Sequence, residues 1–282
     1  MIATTLDPLA ERFDAFLVDQ FGVILNGTGA YDFAPAALAR LGATGKPVVL
    51  LSNSGKRSAP NEARLTRLGF ARDSYLTVMS SGEAAHAALR RRIGAEIAPG
   101  APVWAHGRDD DASHVEGLDL TLVDLPAKAS LILLAGSRGE SLTLDDYAAM
   151  LAPAAAKAVP CLCTNPDMEM LTPKGIRFGS GAIARLYEDL GGPVEWIGKP
   201  HPLIYREAAR LLPGIPPETV LCIGDSPAHD VAGGRAAGHA TALVRTGLHE
   251  GIDDAELAAL CQEEGAVPDF VIPRFAFAAE ET

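Results

Sequence analysis

Short apolar segments alternate along this chain with longer segments of helical periodicity. Residues 15–19 (AFLVD), 47–51 (PVVLL), 220–224 (VLCIG) and 240–244 (ATALV) are each too short to form a helix. Apolar runs of this length, without a polar position at every second residue, are typical of strands that are buried on both faces. Strands that alternate with helices predict a parallel sheet covered by helices, which is an α/β fold.

A long segment between the second and third of these strands has a set of elements of its own. Its predicted strands cover residues 120–123, 131–135 and 160–163. A helix is predicted over 144–157, because Thr143 can cap its first turn and Asp146, three residues later, can complete a weak capping box. A segment of this size with independent elements predicts an inserted domain and not a loop.

The sequence therefore predicts two domains, a Rossmann-like parallel-sheet core and an inserted α/β domain. We expect the core to comprise residues 1–93 and 193–282 and the inserted domain to comprise residues 94–192. With 282 residues, of which 48% are hydrophobic, the chain is long enough to bury two cores of ordinary size.

Net charge and composition exclude some classes of binding partner and indicate where in the cell the protein works. The formal net charge is −12, so the protein repels nucleic-acid backbones and anionic lipid surfaces, and neither is expected as a partner. No uninterrupted apolar run reaches the length of a membrane span, and the acidic N-terminal residues do not resemble a secretory segment, which favours a cytoplasmic location. The four cysteines lack a C-x-x-C pair and are expected to be reduced and buried.

Candidate catalytic residues lie where predicted strands of the core end. Asp19 ends the first strand, Ser52 and Asn53 follow the second, and Asp225 follows the third, with Asp230 five residues later. Taken one at a time, each is an ordinary capping or turn residue. Because the carboxyl ends of parallel strands meet at one edge of a sheet, these side chains can converge there.

Lys199, in residues 198–202 (GKPHP), adds a cation to this set. A carboxylate nucleophile, neutral donors, a lysine and a pair of aspartates that suits a hard metal ion are together what phosphoryl transfer requires.

At these residues the chain resembles the haloacid dehalogenase superfamily. The four motifs of that superfamily are matched in order by residues 19–27 (DQFGVILNG), 51–54 (LSNS), 198–200 (GKP) and 223–231 (IGDSPAHDV). Residues 164–167 (TNPD) and 179–181 (GSG) are similar to a late segment of the inserted cap in subclass IIA, whose members have a C2-type α/β cap and include sugar phosphatases and nitrophenylphosphatases.

The resemblance implies specific roles for these residues. Asp19 would be the nucleophile that forms an aspartyl-phosphate. Mg²⁺ would be held by Asp19, the backbone carbonyl of Phe21 and Asp225, with Asp230 completing or supporting the ligand set. The groups implied to bind the phosphoryl group are Gly22, Ser52, Asn53, Ser54 and Lys199.

Phe21 is where the chain departs from the usual phosphatase pattern, which has a second aspartate at this position as proton donor and acceptor. The sequence suggests that the Phe21 ring fills a pocket. Three interpretations remain open: a phosphatase of a small phosphorylated metabolite that obtains its proton elsewhere, for example from His229 or His201; a dehalogenase; and a protein that binds a phosphate ligand without turnover. The sequence indicates neither the substrate nor the oligomeric state, although a homodimer is compatible with it.

Overall fold

The computed structural model describes residues 1–108, 111, 113–172 and 175–278. The chain forms two compact units. The first unit consists of Met1–Ser52, Ser58–Met79 and Lys199–Thr282, and the second unit consists of Asn53–Arg57 and Ser80–Gly198. The domain boundaries expected from the sequence, at residues 93/94 and 192/193, differ from these divisions by up to fourteen residues, and they stay a prediction.

The elements are numbered in chain order. The strands are β1 (Ile2–Ala3), β2 (Ala15–Asp19), β3 (Val48–Ser52), β4 (Thr77–Ser80), β5 (Ala101–His106), β6 (Leu120–Leu122), β7 (Leu131–Leu134), β8 (Cys161–Cys163), β9 (Glu169–Thr172), β10 (Gly175–Phe178), β11 (Val194–Trp196), β12 (Val220–Gly224), β13 (Ala240–Val244) and β14 (Phe270–Ile272). The α-helices are α1 (Leu6–Arg12), α2 (Ala34–Gly42), α3 (Ser58–Arg67), α4 (Ser81–Arg92), α5 (Leu144–Ala155), α6 (Ser180–Asp189), α7 (Pro202–Ala209), α8 (Ala232–Ala236) and α9 (Asp254–Glu263).

A seven-stranded sheet organises the first unit, with the strand order β1-β14-β13-β12-β2-β3-β4. The five pairings from β1 to β3 in this order are parallel. Every residue of β2, β3 and β12 is buried, which explains why these strands read as continuous apolar runs. The predicted strands over 15–19, 220–224 and 240–244 are confirmed, and β3 begins one residue later than expected. The fold is the predicted α/β class with a Rossmann-like core.

The second unit has a parallel sheet of its own, with the order β11-β8-β7-β5-β6, and an antiparallel hairpin formed by β9 and β10. Helix α5 starts at the predicted capping box, in which Thr143 and Asp146 exchange hydrogen bonds, but it ends two residues earlier than expected. Cys161 and Cys163 both face the core that contains Tyr147, as the two-residue period of a strand predicts. All four cysteines are free and buried.

Among the helices of the described residues, none has the length and apolar character needed to cross a bilayer.

Candidate active site

The carboxyl ends of the central strands of the first unit carry its buried polar side chains. Asp19 is the last residue of β2, Ser52 is the last residue of β3, and Asp225 directly follows β12. These three strands are neighbours in the order β12-β2-β3, so their ends meet at one edge of the sheet. All three side chains are buried.

Asp230 joins this edge through a local irregularity of the backbone. Ser226 caps a π-helical turn over Pro227–Val231 by accepting a hydrogen bond from the amide of His229. This turn brings Asp230 back toward the strand end, where its Oδ2 accepts a hydrogen bond from the Ser226 amide at 3.2 Å. Carboxylate oxygens of Asp19, Asp225 and Asp230 all lie within 4.8 Å of one another.

Lys199 lies in the middle of these carboxylates. Its Nζ is 2.5 Å from Oδ1 of Asp19 and 2.7 Å from Oδ1 of Asp230, and all three side chains are buried. Such a lysine fixes the orientation of both carboxyl groups, because each charge-assisted hydrogen bond is short and shielded from water. One oxygen of Asp19 is thereby held in place.

The charges at the site are not balanced by the protein. Burial raises the pKa of Asp19, Lys199 opposes that shift, and the like charges of Asp230 and Asp225 add to it. Burial also raises the pKa of Asp225, with Asp230 as the next cause. Burial opposes the positive charge of Lys199, but the carboxylates of Asp19 and Asp230 raise its pKa. Three carboxylates facing one ammonium leave a net negative charge in a region of low dielectric constant.

This charge imbalance and the donor atoms fit a divalent cation. The described residues contain one group of at least three close metal-ligand side chains, and it is this group of carboxylates. Carboxylate oxygens are the ligands that hard divalent ions prefer, and an ion between Asp19 and Asp225 would remove their repulsion. The site can therefore hold a divalent metal ion.

Three glycines allow the backbone to approach the acidic group closely. A Cβ atom on Gly22 would lie 1.9 Å from Oδ2 of Asp225, and one on Gly247 would lie 2.1 Å from the same oxygen. Both glycines have a positive φ, which other residues adopt at a cost. A Cβ atom on Gly224 would lie 2.0 Å from Cγ of Asp230. The carboxylates are thus surrounded by main chain that only glycine permits.

Gly22 is also tied into its own loop. Its amide donates to the carbonyl of Leu25 at 2.7 Å, and its carbonyl accepts a hydrogen bond from Oγ1 of Thr246 at 2.6 Å. The amide that the family resemblance implies as a phosphoryl donor therefore already has an acceptor within the loop.

The expectation that the ring of Phe21 fills a pocket is wrong. The residue is 51% exposed, because it lies on a tight loop in which the carbonyl of Gln20 accepts hydrogen bonds from the amides of Val23, Ile24 and Leu25. The guanidinium of Arg64, on α3, lies over the Phe21 ring at 5.2 Å from its centroid.

The remaining predicted residues of the second motif, Asn53 and Ser54, belong to the second unit. Asn53 belongs to that unit, and its Nδ2 donates to Oδ1 of Asp167 at 3.0 Å. Asp167 comes from the predicted late segment of the inserted domain, so these two predicted motifs are in contact. Ser54 accepts hydrogen bonds from the backbone amides of Lys56 and Gly82, through its side chain and its carbonyl respectively.

Sequence reasoning missed the loop that follows β13. The amide of Leu248 donates to Oδ2 of Asp225 at 2.9 Å, and Thr246 anchors Gly22. The signal was present, since β13 was predicted and its carboxyl end lies at the same edge as β12. The hydrogen bond that Nη2 of Arg64 donates to Oε1 of Gln20, at 2.6 Å, was also missed, and nothing in the local sequence indicates it.

Comparisons with known proteins agree with this geometry. Residues 16–121 match the family described as haloacid dehalogenase-like hydrolases, and residues 196–277 match the family described as HAD-hydrolase-like. The chain is similar to human chronophin, with 29% identity over 275 residues that cover 94% of this chain and 92% of chronophin. It is also similar to the dihydroxyacetone phosphatase of Corynebacterium glutamicum, with 39% identity over 97 residues, or 34% of each chain. The solved p-nitrophenyl phosphatase from Archaeoglobus fulgidus has a TM-score of 0.75 and 27% identity, covering 93% of this chain and 97% of that one.

Proposed function

Because the chain belongs to the haloacid dehalogenase-like hydrolases, we propose that it is a Mg²⁺-dependent phosphatase that acts on a small phosphorylated metabolite through Asp19. The observation that carries the proposal is the buried group of Asp19, Asp225 and Asp230 around the ammonium of Lys199. Two proteins that are similar to this chain are named as a dihydroxyacetone phosphatase and a p-nitrophenyl phosphatase, and these names support hydrolysis of a phosphate ester as the reaction.

Asp19 acts as the nucleophile in this proposal. One carboxylate oxygen attacks the phosphorus atom, the bond from phosphorus to the leaving oxygen breaks, and the electron pair departs with the leaving group. Lys199 holds Oδ1 of Asp19 at 2.5 Å, which leaves Oδ2 to form the new bond. Water then attacks the phosphorus of the aspartyl-phosphate, which releases inorganic phosphate and restores the Asp19 carboxylate.

The ligands proposed for Mg²⁺ are Asp19, the backbone carbonyl of Phe21 and Asp225. When bound there, the ion supplies positive charge beside the oxygens of the transferring group. Both oxygens of Asp230 already accept hydrogen bonds, from Lys199 and from the Ser226 amide, which favours a supporting role for Asp230.

Ser52, Asn53, Ser54 and Lys199 are proposed to bind the phosphoryl oxygens, whereas the Gly22 amide, which donates to the Leu25 carbonyl, is left out of this set. Donors aimed at these oxygens lower the barrier because they need no reorganisation during the reaction. The segment 94–192 is proposed to be the family's inserted cap, which in this architecture determines the substrate.

A protein that binds a phosphate ligand without turnover is the second candidate, and the side chain of Phe21 favours it. A phenyl ring neither donates a proton to the leaving oxygen nor activates water, and loss of such a group costs typically about 10²–10⁴-fold in rate. A dehalogenase is less well supported, since attack on carbon does not require the buried acidic group to bind metal.

Phosphate release tests the proposal. Phosphorylated metabolites are incubated with the native protein in Mg²⁺ and in excess chelator, alongside Asp19→Asn and the matched control Asp14→Asn, an exposed residue that directly precedes β2. We expect release by the native protein and by Asp14→Asn in Mg²⁺ only, and none by Asp19→Asn. Mg²⁺ and phosphate binding without release would establish the second candidate, and release by Asp19→Asn would refute the role of Asp19.

A further inference from the structure

The loop that follows the proposed nucleophile is tied to helix α3 by one side chain. Nη2 of Arg64, on α3, donates to Oε1 of Gln20 at 2.6 Å, and the guanidinium lies over the Phe21 ring at 5.2 Å from its centroid. Gln20 and Phe21 are the two residues that directly follow Asp19 in the chain. Arg64 therefore holds both of them at once, through two different kinds of contact.

The same loop places main chain beside the acidic group. A Cβ atom on Gly22 would lie 1.9 Å from Oδ2 of Asp225 and 2.3 Å from its Cγ, so the peptide that joins Phe21 to Gly22 lies next to this carboxylate. The carbonyl of that peptide is the one proposed above as a ligand of Mg²⁺. The Gln20 carbonyl accepts hydrogen bonds from three amides of the loop, which makes the loop a compact turn that moves as a whole.

Stability of the fold alone does not account for the contact between Arg64 and Gln20. Gln20 is fully buried, yet its Nε2 has no acceptor among the described residues, and neither has the buried Nε of Arg64. Burial, together with the like charge of Arg67, lowers the pKa of Arg64, so its surroundings disfavour the positive charge. An apolar pair of similar shape would avoid both the unpaired N–H groups and the desolvated cation. Buried polar groups that are kept at such a cost indicate a role in a site.

The geometry of the contact suits the positioning of a loop. A guanidinium is planar and rigid, so one arginine can donate a short, charge-assisted hydrogen bond while its face packs on an aromatic ring. Arg64 belongs to a regular helix, which fixes a neighbouring loop more precisely than another loop would. Groups outside the ligand set that orient metal ligands in this way contribute to metal affinity.

We propose that Arg64 is a positioning residue of the metal site, which holds Gln20 and Phe21 so that the Phe21 carbonyl stays beside Asp225 for Mg²⁺ binding. This inference rests on the proposed function, in which that carbonyl is a ligand, and adds to the site a residue outside the four motifs. Arg64 acts through Gln20 and Phe21. Loss of its contacts leaves the carboxylates of the site in the protein but releases the loop that carries the carbonyl.

Metal binding without substrate tests the proposal. Mg²⁺ is titrated by calorimetry into the native protein, Arg64→Met and Arg67→Met. Methionine keeps much of the length of arginine but has no charge and no donor. We expect Arg64→Met to raise the Kd for Mg²⁺ by about tenfold, as the loss of a group that orients metal ligands does. Arg67→Met, the matched control, removes the same charge from an exposed position on α3 and should change Kd by less than about twofold.

The sign of the change separates positioning from simple electrostatics. Removal of a positive charge near a metal site strengthens metal binding by Coulomb's law, whereas loss of positioning weakens it. A variant that is only less stable keeps the Kd of its folded fraction, and thermal unfolding confirms that each variant is folded. Unchanged or tighter binding by folded Arg64→Met, or an equal loss in Arg67→Met, would overturn the inference while the proposed function stands. A native protein that binds no Mg²⁺ would overturn the proposed metal dependence and the inference with it.

Gln20→Leu tests the same contact from its other side, because leucine has a similar volume and no acceptor. We expect it to raise the Kd for Mg²⁺ about as much as Arg64→Met does. The double variant should lose no more affinity than either single variant, since both remove one interaction. Additive losses would show that Gln20 and Arg64 act independently, which contradicts the proposal.

Turnover gives a readout that a purely structural role would not move. In Arg64→Met, the Mg²⁺ concentration that gives half-maximal phosphate release should rise by about tenfold, while kcat at saturating Mg²⁺ stays within about twofold of the native value. A fall in kcat that excess Mg²⁺ does not restore would contradict positioning of the metal site. If the native protein binds Mg²⁺ but releases no phosphate from any ester, the proposed phosphatase fails, and the calorimetric comparison still decides the role of Arg64.

Discussion

The two parallel sheets of this chain place different chemistry at their carboxyl edges. In the first unit, that edge carries Asp19 and Asp225, which are buried, negatively charged and only partly neutralised by Lys199. In the second unit, β5 ends at His106, whose Nε2 is 2.6 Å from the Tyr147 hydroxyl, and Thr164, next to β8, donates to the Leu134 carbonyl. These two polar groups of the second edge are hydrogen-bonded within their own unit.

The difference between the two edges separates the contribution of sheet topology, which brings strand ends together, from that of residue type, which determines the charge at those ends. A parallel sheet brings strand ends together in both units, yet among the described residues only the first edge gathers three close carboxylates that fit a further cation. Buried groups whose hydrogen bonds are complete stabilise a fold, whereas buried groups left with excess charge mark a binding site.

The largest expected effect comes from Phe21→Asp, which adds a proton donor to the first edge. We expect kcat/KM for alkyl phosphates to rise by about 10²–10⁴-fold, and the gain to grow with the pKa of the leaving group. Because the ring is half-exposed, the free energy of unfolding should fall by less than about 1 kcal/mol, which thermal unfolding checks.

Phe21→Asn is the matched control, since it has the same shape as the aspartate but no acidic proton. An equal gain in Phe21→Asn would show that removal of the ring, and not proton donation, is the cause. If folded Phe21→Asp gains nothing while the native protein hydrolyses alkyl phosphates well, another residue supplies the proton, and His229→Ala is the variant to measure.

His114 makes the second unit sensitive to acid. Burial lowers its pKa to about 4, with Asp111 opposing the shift and the nearby His86 and Arg57 adding to it. In the unfolded chain the His114 imidazole has its ordinary pKa of about 6.5 and takes up a proton below that pH, whereas in the folded protein it stays neutral until about pH 4. The stability that this group gives the folded state is therefore fully present above pH 6.5 and is lost as the pH falls through 4. The loss amounts to about 3 kcal/mol at most.

His114→Met, which has a similar volume and no titratable group, should therefore reduce the loss of unfolding free energy between pH 7 and pH 4.5. Urea unfolding of both proteins at several pH values measures this, and the titration of the first edge cancels in the difference. Parallel pH profiles would contradict the assignment. Since neither ring nitrogen of His114 has a hydrogen-bond partner in the structure, His114→Met should not destabilise the protein at pH 8.

The smallest effect is expected from Tyr147→Phe in the second unit. The Tyr147 hydroxyl contacts Nε2 of His106 and accepts a hydrogen bond from the Arg138 amide at 3.1 Å. Its removal should lower the free energy of unfolding by about 1–2 kcal/mol and leave kcat within about twofold. A large loss of kcat at unchanged stability would show that the second edge takes part in chemistry.

The sequence predicts the parts of the site that depend on strand ends. Asp19 and Asp225 were identified because a buried apolar strand that ends in a carboxylate delivers it to a known edge. The capping box of α5 was also predictable, since Thr143 and Asp146 interact within one turn. These features depend on residues that are close in sequence or on the regular geometry of a sheet.

The parts that could not be predicted depend on contacts between distant loops. The exposure of Phe21 follows from the turn around Gln20 and from Arg64, which lies 44 residues along the chain from Gln20. The position of Asp230 depends on a π-helical turn, which its spacing from Asp225 does not reveal. The approach of Gly247 to Gly22 likewise joins residues from opposite ends of the chain.

The central claim is that Asp19 carries the phosphoryl group, and trapping that group tests it most directly. Because Phe21 does not activate water, the aspartyl-phosphate should persist long enough to be reduced by borohydride, which converts a phosphorylated aspartate to homoserine. After brief mixing with Mg²⁺ and a phenyl phosphate, peptide mass spectrometry should find homoserine at position 19 and should find none without substrate. Release of phosphate with Asp19 unmodified, or modification of Asp225 instead, would contradict the account.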